Sequence, residues 1–119
     1  MKKTHDISIT QQVSESITLE IVGADGNPRD LSSFVFKLDC KNNYSDQSPL
    51  FTLSSSDSSI ILDTANNHMV HLVFSHDLTK TLDFDKGVYD LLAYKSDKSH
   101  VEVLISGSIS LRKTVTKLD

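Results

Sequence analysis

Three histidines are the residues of this chain whose spacing most resembles a metal site. His68 and His71 are three residues apart, and His76 follows them closely; imidazole is a common zinc ligand. Side chains three apart on a β-strand point to opposite faces. His71 is also out of phase with the apolar residues around it, so we expect its side chain to face solvent. The pattern therefore predicts no metal site, and we expect no cofactor.

Two aspartates before a glycine, Asp83 and Asp85 with Gly87, resemble the opening of a calcium-binding loop. An EF-hand loop also needs a carboxylate at its far end, and this chain has Tyr94 at that place. We therefore interpret the segment as a turn that leads into the following strand.

Nucleophilic catalysis would need an activated serine or cysteine. The serines fall in runs without the Gly-x-Ser-x-Gly elbow, and Cys40 alternates with Phe36 and Leu38, which is typical of a small buried hydrophobic residue. There is no glycine-rich phosphate loop either. We predict that the protein is not an enzyme. A deep polar pocket that joins one of the histidines to a carboxylate would reopen that question.

Composition limits the remaining classes. The chain has 119 residues, a net charge of −4 and one cysteine, so we expect a single domain, residues 1–119, without an internal disulfide. Lysine and arginine are scattered rather than gathered in a basic stripe, so no nucleic-acid partner is expected. No apolar run is long enough to span a bilayer or to serve as a signal peptide. We expect no membrane contact and synthesis in the cytoplasm.

Alternating apolar residues and frequent turn signals predict an all-β sandwich or barrel of about seven to nine strands. Ser75 can cap a short helical turn near residues 76–82. Two β-rich runs around the polar residues 95–99 predict a final hairpin, and Gly107 inside its second run predicts a bulge or a close backbone approach. The predicted core comprises Ile17, Leu19, Ile21, Phe34, Phe36, Leu38, Leu72, Tyr89, Leu91 and Ile105.

Short motifs along most of the chain carry a family resemblance. They are Asp30-Leu-Ser-Ser-Phe34, Ser75-x-x-Leu-Thr79, Gly87-x-Tyr-Asp-Leu91, Gly107-x-Ile109 and Val115-Thr116. This series resembles small tailed-bacteriophage virion proteins and is similar to the N-terminal domain of phage baseplate upper proteins. The resemblance implies an immunoglobulin-like antiparallel β-sandwich and a structural role in the tail, baseplate or head–tail region of a virion. Ser33 and Lys117 depart from the family pattern, which has glycine and arginine there.

Two segments are predicted to bind partners. Residues 1–6 precede the first strand signal, and we expect a flexible arm whose Lys2, Lys3 and His5 contact neighbouring molecules. The polar loop 41–49 carries Asn43 and Tyr44, and an exposed aromatic residue is a favoured interface residue; the alternative is a tyrosine ring that folds back over the edge of the core. The expected partners are other virion proteins, with a homo-oligomer in the assembled particle. Deleting residues 1–6 is expected to leave the fold intact.

The alternative function is a carbohydrate- or host-surface-binding module. Sugar-binding platforms use exposed tryptophan or tyrosine. This chain has no tryptophan, and Tyr89 and Tyr94 are expected on opposite faces of one strand. A flat aromatic platform is therefore disfavoured, and Tyr44 is the residue on which this alternative depends.

Overall fold

The computed structural model describes residues 3–23 and 25–116, and strands dominate this part of the chain. The elements in chain order are β1 Lys3–Thr4, β2 Ile7–Thr10, β3 Glu15–Glu20, β4 Val35–Lys41, β5 Phe51–Ser54, β6 Ile60–Leu62, β7 Met69–Phe74, α1 His76–Thr79, β8 Lys86–Tyr94 and β9 Val101–Arg112.

The strands form two sheets. The larger has the order β1-β9-β8-β4-β5, with β2 also paired to β9, and the smaller has the order β3-β7-β6. Phe51 of the larger sheet packs edge-on against Phe74 of the smaller, with ring centroids 6.0 Å apart, so the two sheets enclose one core. The predicted class is confirmed: the protein is an immunoglobulin-like β-sandwich.

The core follows the alternation of the sequence. Eight of the predicted core residues are buried, namely Leu19, Ile21, Phe36, Leu38, Leu72, Tyr89, Leu91 and Ile105. The other two, Ile17 and Phe34, are only partly buried at the margin of the core. Cys40 is buried as predicted, and burial raises the pKa of its thiol to about 12. The thiol therefore stays protonated and unreactive at neutral pH.

The helical turn is shorter than the predicted range. Ser75 caps it by accepting a hydrogen bond from the Leu78 N–H at 3.2 Å, as its residue type indicated. The helix ends at Thr79, whose buried hydroxyl donates to the carbonyl oxygen of Val13 at 3.1 Å. In the described ranges, no helix is long and apolar enough to cross a membrane.

Residues 3–6 differ from the expected flexible arm, because they are part of the larger sheet. β1 pairs in parallel with β9, with Lys3 opposite Ile105, and β2 continues this parallel pairing further along β9. The N-terminal strands thus depart from the predicted antiparallel pattern. The backbone N–H of His5 donates to Ser106 at 2.9 Å. Residues 1 and 2 lie outside the described part of the chain.

The close backbone approach predicted at Gly107 is confirmed. A Cβ atom on this glycine would meet the carbonyl carbon of His5 at 2.9 Å. The buried Tyr89 also donates its hydroxyl to the carbonyl oxygen of His5 at 2.6 Å, and burial raises the pKa of that phenol, which keeps it a donor. The absence of a side chain at residue 107 lets the N-terminal segment lie against β9.

Candidate interaction surface

The face of the larger sheet that points away from the core carries two adjacent rows of mainly apolar side chains. Cross-strand register gives a first row of Val35, Tyr94 and Val101 and a second row of Lys37, Leu92 and Val103. Val101 is 52% exposed and Val103 is 36% exposed. Exposed apolar groups that adjoin one another, rather than being scattered singly, mark interaction surfaces in soluble proteins.

A β-bulge creates this surface. The register of β8 and β9 shifts between Leu91 and Leu92, so that Leu104 and Ile105 are consecutive residues and both are buried. Without the extra residue, Leu104 would lie opposite Leu92 and point outward. With it, Val103 takes that position. Bulges commonly serve to redirect side chains, and here the bulge turns two valines toward solvent.

A polar region lies beside the second row. Asp39 and Asp90 pair across β4 and β8 and, with Ser106 on β9, form a third row, which we call the acidic row. The carboxylate of Asp39 accepts a hydrogen bond from the Thr52 hydroxyl at 2.6 Å. Two carboxylates therefore lie beside the apolar rows, and Lys41 borders the same region.

Tyr44 lies over this polar region. It is 72% exposed and borders a cleft of about 110 Å³ with Asp39, Asp90, Lys41 and Val88. The local backbone is held by a turn in which the Asn43 N–H donates to the Asp46 carboxylate at 3.0 Å. The loop thus places an aromatic ring beside two carboxylates and an amine.

The opposite side of the apolar rows ends at the hairpin turn, residues 95–100, which carries Lys95 and Lys98. The ammonium of Lys95 donates to the Ser33 hydroxyl at 2.6 Å and stands 4.5 Å from the centroid of the Phe34 ring. The Asp97 carboxylate in the same turn accepts the Ser99 N–H at 2.9 Å. The outer face therefore runs from a basic turn, through two apolar rows, to an acidic row.

An ion pair supports the hairpin from the core side. Arg29 makes a two-pronged contact with Glu102, and His100 lies 2.6 Å from the same carboxylate. The Arg29 guanidinium, followed by the effect of the nearby His100, holds the pKa of Glu102 below its usual value against the cost of desolvation. Because of the bulge, Glu102 lies opposite Ala93 and points inward.

The residues predicted to bind partners are divided between two edges of the larger sheet. Lys3 and His5 belong to the N-terminal segment beside β9, whereas Asn43 and Tyr44 follow β4 near the opposite edge. Lys2 lies outside the described residues. The structure therefore does not bring these residues together into one site. Tyr44 alone adjoins the outer face through its cleft.

Sequence reasoning missed the apolar rows. Val101, Val103 and Ile105 alternate, which predicts that all three point to one side of the strand. The bulge separates them, leaving Ile105 in the core and the two valines outside. The adjacent pair Leu104 and Ile105 was the available signal, because two consecutive buried apolar residues in a strand require a break in the alternation.

Thr18, His71 and Asp63 form a hydrogen-bonded cluster whose connections resemble those of a catalytic triad. The His71 ring shares hydrogen bonds with the Thr18 hydroxyl at 2.8 Å and with the Asp63 carboxylate at 3.0 Å. Catalysis also needs a water-excluding pocket and donors for an oxyanion. The contacts described around Thr18, on the open face of edge strand β3, supply neither. We interpret the cluster as a link between β3, β7 and the turn after β6.

The other chemical candidates have structural partners. Asp83 and Asp85 both lie near the Lys113 ammonium, at 3.0 and 3.6 Å, in the segment that leads into β8. Within residues 3–23 and 25–116, no group of three or more histidine, cysteine or acidic side chains has the arrangement of a metal site.

Comparisons with known proteins add little. No protein-family model matches the sequence, and no curated protein matches it. Among solved structures, the chain is similar to the solution structure of the PKD domain from the KIAA 1837 protein. The TM-score is 0.35 and the identity 15%, over 96% of this chain and 86% of that chain. A likeness at this level carries no argument about function.

Proposed function

We propose that this protein is a bacteriophage structural protein of the tail, baseplate or head–tail region, and that it acts by contact with other virion proteins. Two lines of support meet in this proposal. The motif series from Asp30 to Thr116 resembles small virion proteins, and the sandwich presents a surface suited to binding protein.

The outer face of the larger sheet is the observation that carries the proposal. Val101 and Val103 are exposed although a strand without the bulge would turn them inward. Fully burying a valine side chain is worth about 1.5–3 kcal/mol, and each of these two valines, being partly exposed, forgoes part of this free energy in an isolated domain. A protein partner that covers them recovers this free energy.

Quantitative mass spectrometry of purified particles tests the proposal. Phage particles are produced from the bacterial culture that carries this gene, by induction or by infection. The particles are then separated from the soluble lysate. The protein is expected in particles in several copies each, in constant ratio to the major tail proteins. Abundance in the soluble lysate together with absence from particles would contradict the proposal.

A second candidate function is carbohydrate or host-surface binding, and the Tyr44 cleft is the observation that favours it. An aromatic face beside the carboxylates of Asp39 and Asp90 offers both stacking and hydrogen-bond acceptors for sugar hydroxyl groups. A glycan array is the test. A saccharide bound by the native chain and by Val101→Thr, but lost in Tyr44→Ala, would favour this function over the first.

A further inference from the structure

We infer that the two apolar rows of the outer face bind the same rows of a second copy of this chain, about a two-fold axis that runs across the strands. The inference deepens the proposed function, because it names the partner of the surface already described. It rests on that function only for its biological setting, since pairing between copies can be measured on the purified chain.

The order of the rows is self-complementary. The proposed two-fold axis lies parallel to the sheet and runs between the first and second rows. Rotation about it places the first row of one copy against the second row of the other. Val101 on β9 then faces Val103, and Tyr94 on β8 faces Leu92. A two-fold interface requires one patch to match its own rotated copy. Sandwich sheets commonly pack face to face in nearly aligned directions.

Lys37 is the polar residue within these rows, and the rotation places it opposite Val35. Lysine can lay its aliphatic stem along an apolar surface while its ammonium reaches water. Lys37 is exposed and lies on β4, next to the edge strand β5, so its ammonium stays near the rim of the proposed contact. The charge therefore does not oppose pairing.

The charged regions on either side of the rows are also complementary. The same rotation places the acidic row, with Asp39 and Asp90, opposite the hairpin turn, in which Lys98 is exposed and the Lys95 ammonium lies against Ser33 and Phe34. Asp97 in the same turn accepts the Ser99 N–H and keeps its negative charge, so Lys95, Asp97 and Lys98 together carry a net charge of +1. Opposite charges across an interface fix its register and exclude wrong arrangements. An apolar ligand has no charges to match this arrangement, so the charges favour a second copy.

The contact is small, with six side chains per copy in the two rows. A standard stable interface uses about 20–30 residues a side. We therefore expect a weak, concentration-dependent dimer in dilute solution. Within an assembled particle, where copies are held close together, such a contact contributes through its high effective concentration.

Sedimentation velocity of the purified chain, from about 10 µM to about 1 mM, tests the inference. The native chain is expected to shift reversibly from monomer to dimer. The double variant Val101→Thr/Val103→Thr should weaken the dimer by at least about tenfold. Ile61→Thr is the matched control, because Ile61 is 43% exposed on β6 of the smaller sheet and should leave the dimer unchanged. Circular dichroism melting shows whether each variant is folded.

Reversing charges provides a second, independent test of the proposed dimer. Asp90→Lys alone should weaken the dimer, and the further change Lys98→Asp in the same chain should restore it, because each copy contributes both partners. A native chain that stays monomeric to about 1 mM overturns the inference, as does a dimer that the valine substitutions do not affect. Either result leaves the proposed virion role open to its own test, the composition of particles.

Discussion

The fold requires glycine at residue 107, because there is no room for a side chain there. Gly107 lies where the backbone of His5 crosses β9, and a Cβ atom would stand 2.9 Å from the His5 carbonyl carbon. Backbone cannot move aside as a flexible side chain can. This crowding explains why a glycine, which usually weakens a strand, lies inside the longest strand of the sandwich.

Gly107→Ala is therefore expected to lower the free energy of unfolding by about 1–3 kcal/mol, the usual cost of overpacking. Hydrogen exchange should rise first in residues 3–6, which the new methyl group displaces. Ser106→Ala is the control on the same strand, because its side chain points away from this crossing. Equal stability of the native and Gly107→Ala chains in urea would contradict the crossing.

Phe34 and Phe36 should contribute differently to the free energy of unfolding. Phe36 is 2% exposed, so Phe36→Ala is expected to cost about 3–5 kcal/mol through lost burial and a cavity. Phe34→Ala should cost less, because its ring is partly exposed beside Lys95. Urea unfolding of the two variants makes the comparison. A larger loss at Phe34 would contradict the deeper burial of Phe36.

The Asp63–His71 hydrogen bond predicts a pH dependence. The His71 side chain, followed by the N–H of Asn66, holds the pKa of Asp63 below its usual value. A carboxyl group with a lowered folded pKa stabilises the fold above its unfolded pKa, and this contribution is lost as pH falls through the folded value. Melting temperatures from neutral pH to about pH 3 should fall more steeply for the native chain than for Asp63→Asn. Parallel curves would contradict the link.

At the scale of elements, the N-terminal strands matter more than the sequence indicated. The polar residues 3–6 showed no strand pattern, because a short edge strand is held by backbone hydrogen bonds and not by apolar alternation. The Asp6 carboxylate accepts two hydrogen bonds from Ser108, one from the backbone N–H at 3.1 Å and one from the hydroxyl at 3.0 Å. The parallel pairing of β1 and β2 with β9 joins the first strands of the sandwich to the last.

Deleting residues 1–6 is therefore expected to lower the melting temperature, contrary to the expectation for a free arm. Tyr89→Phe, which removes only the hydroxyl bonded to His5, serves as a reference and should cost about 0.5–1.5 kcal/mol. The deletion should cost more, since it removes the β1 pairing as well. A truncated chain as stable as the native protein would show that β1 does not support the sheet.

Much of the remaining architecture was predictable from local patterns. Period-two alternation predicted the inward residues of β4 and β7, and the cap at Ser75 predicted α1. The apolar pair Leu104 and Ile105 indicates a break in this alternation, but the bulge itself depends on the register between β8 and β9, which is a tertiary property. The candidate surface depends on that bulge. Of the four residues predicted to bind partners that the structure describes, it places only Tyr44 beside this surface.

At the scale of the whole molecule, the two sheets have different outward faces. The smaller sheet presents polar side chains such as Thr18 and His71 that are bonded to one another across strands. The larger sheet presents two apolar rows between a basic turn and an acidic row. This asymmetry is the basis for assigning the larger sheet to protein contact.

Thiol labelling at single introduced cysteines tests this assignment most directly. The native Cys40 is buried and its thiol pKa is raised to about 12, so the folded protein should give almost no background. Val101→Cys places a thiol in the apolar rows, and Ile61→Cys places a matched thiol on the smaller sheet. Both should react readily in the free monomer. In purified particles we expect the thiol introduced at Val101 to be protected and the one at Ile61 to remain reactive, whereas full reactivity at Val101 in the particle would contradict the assignment.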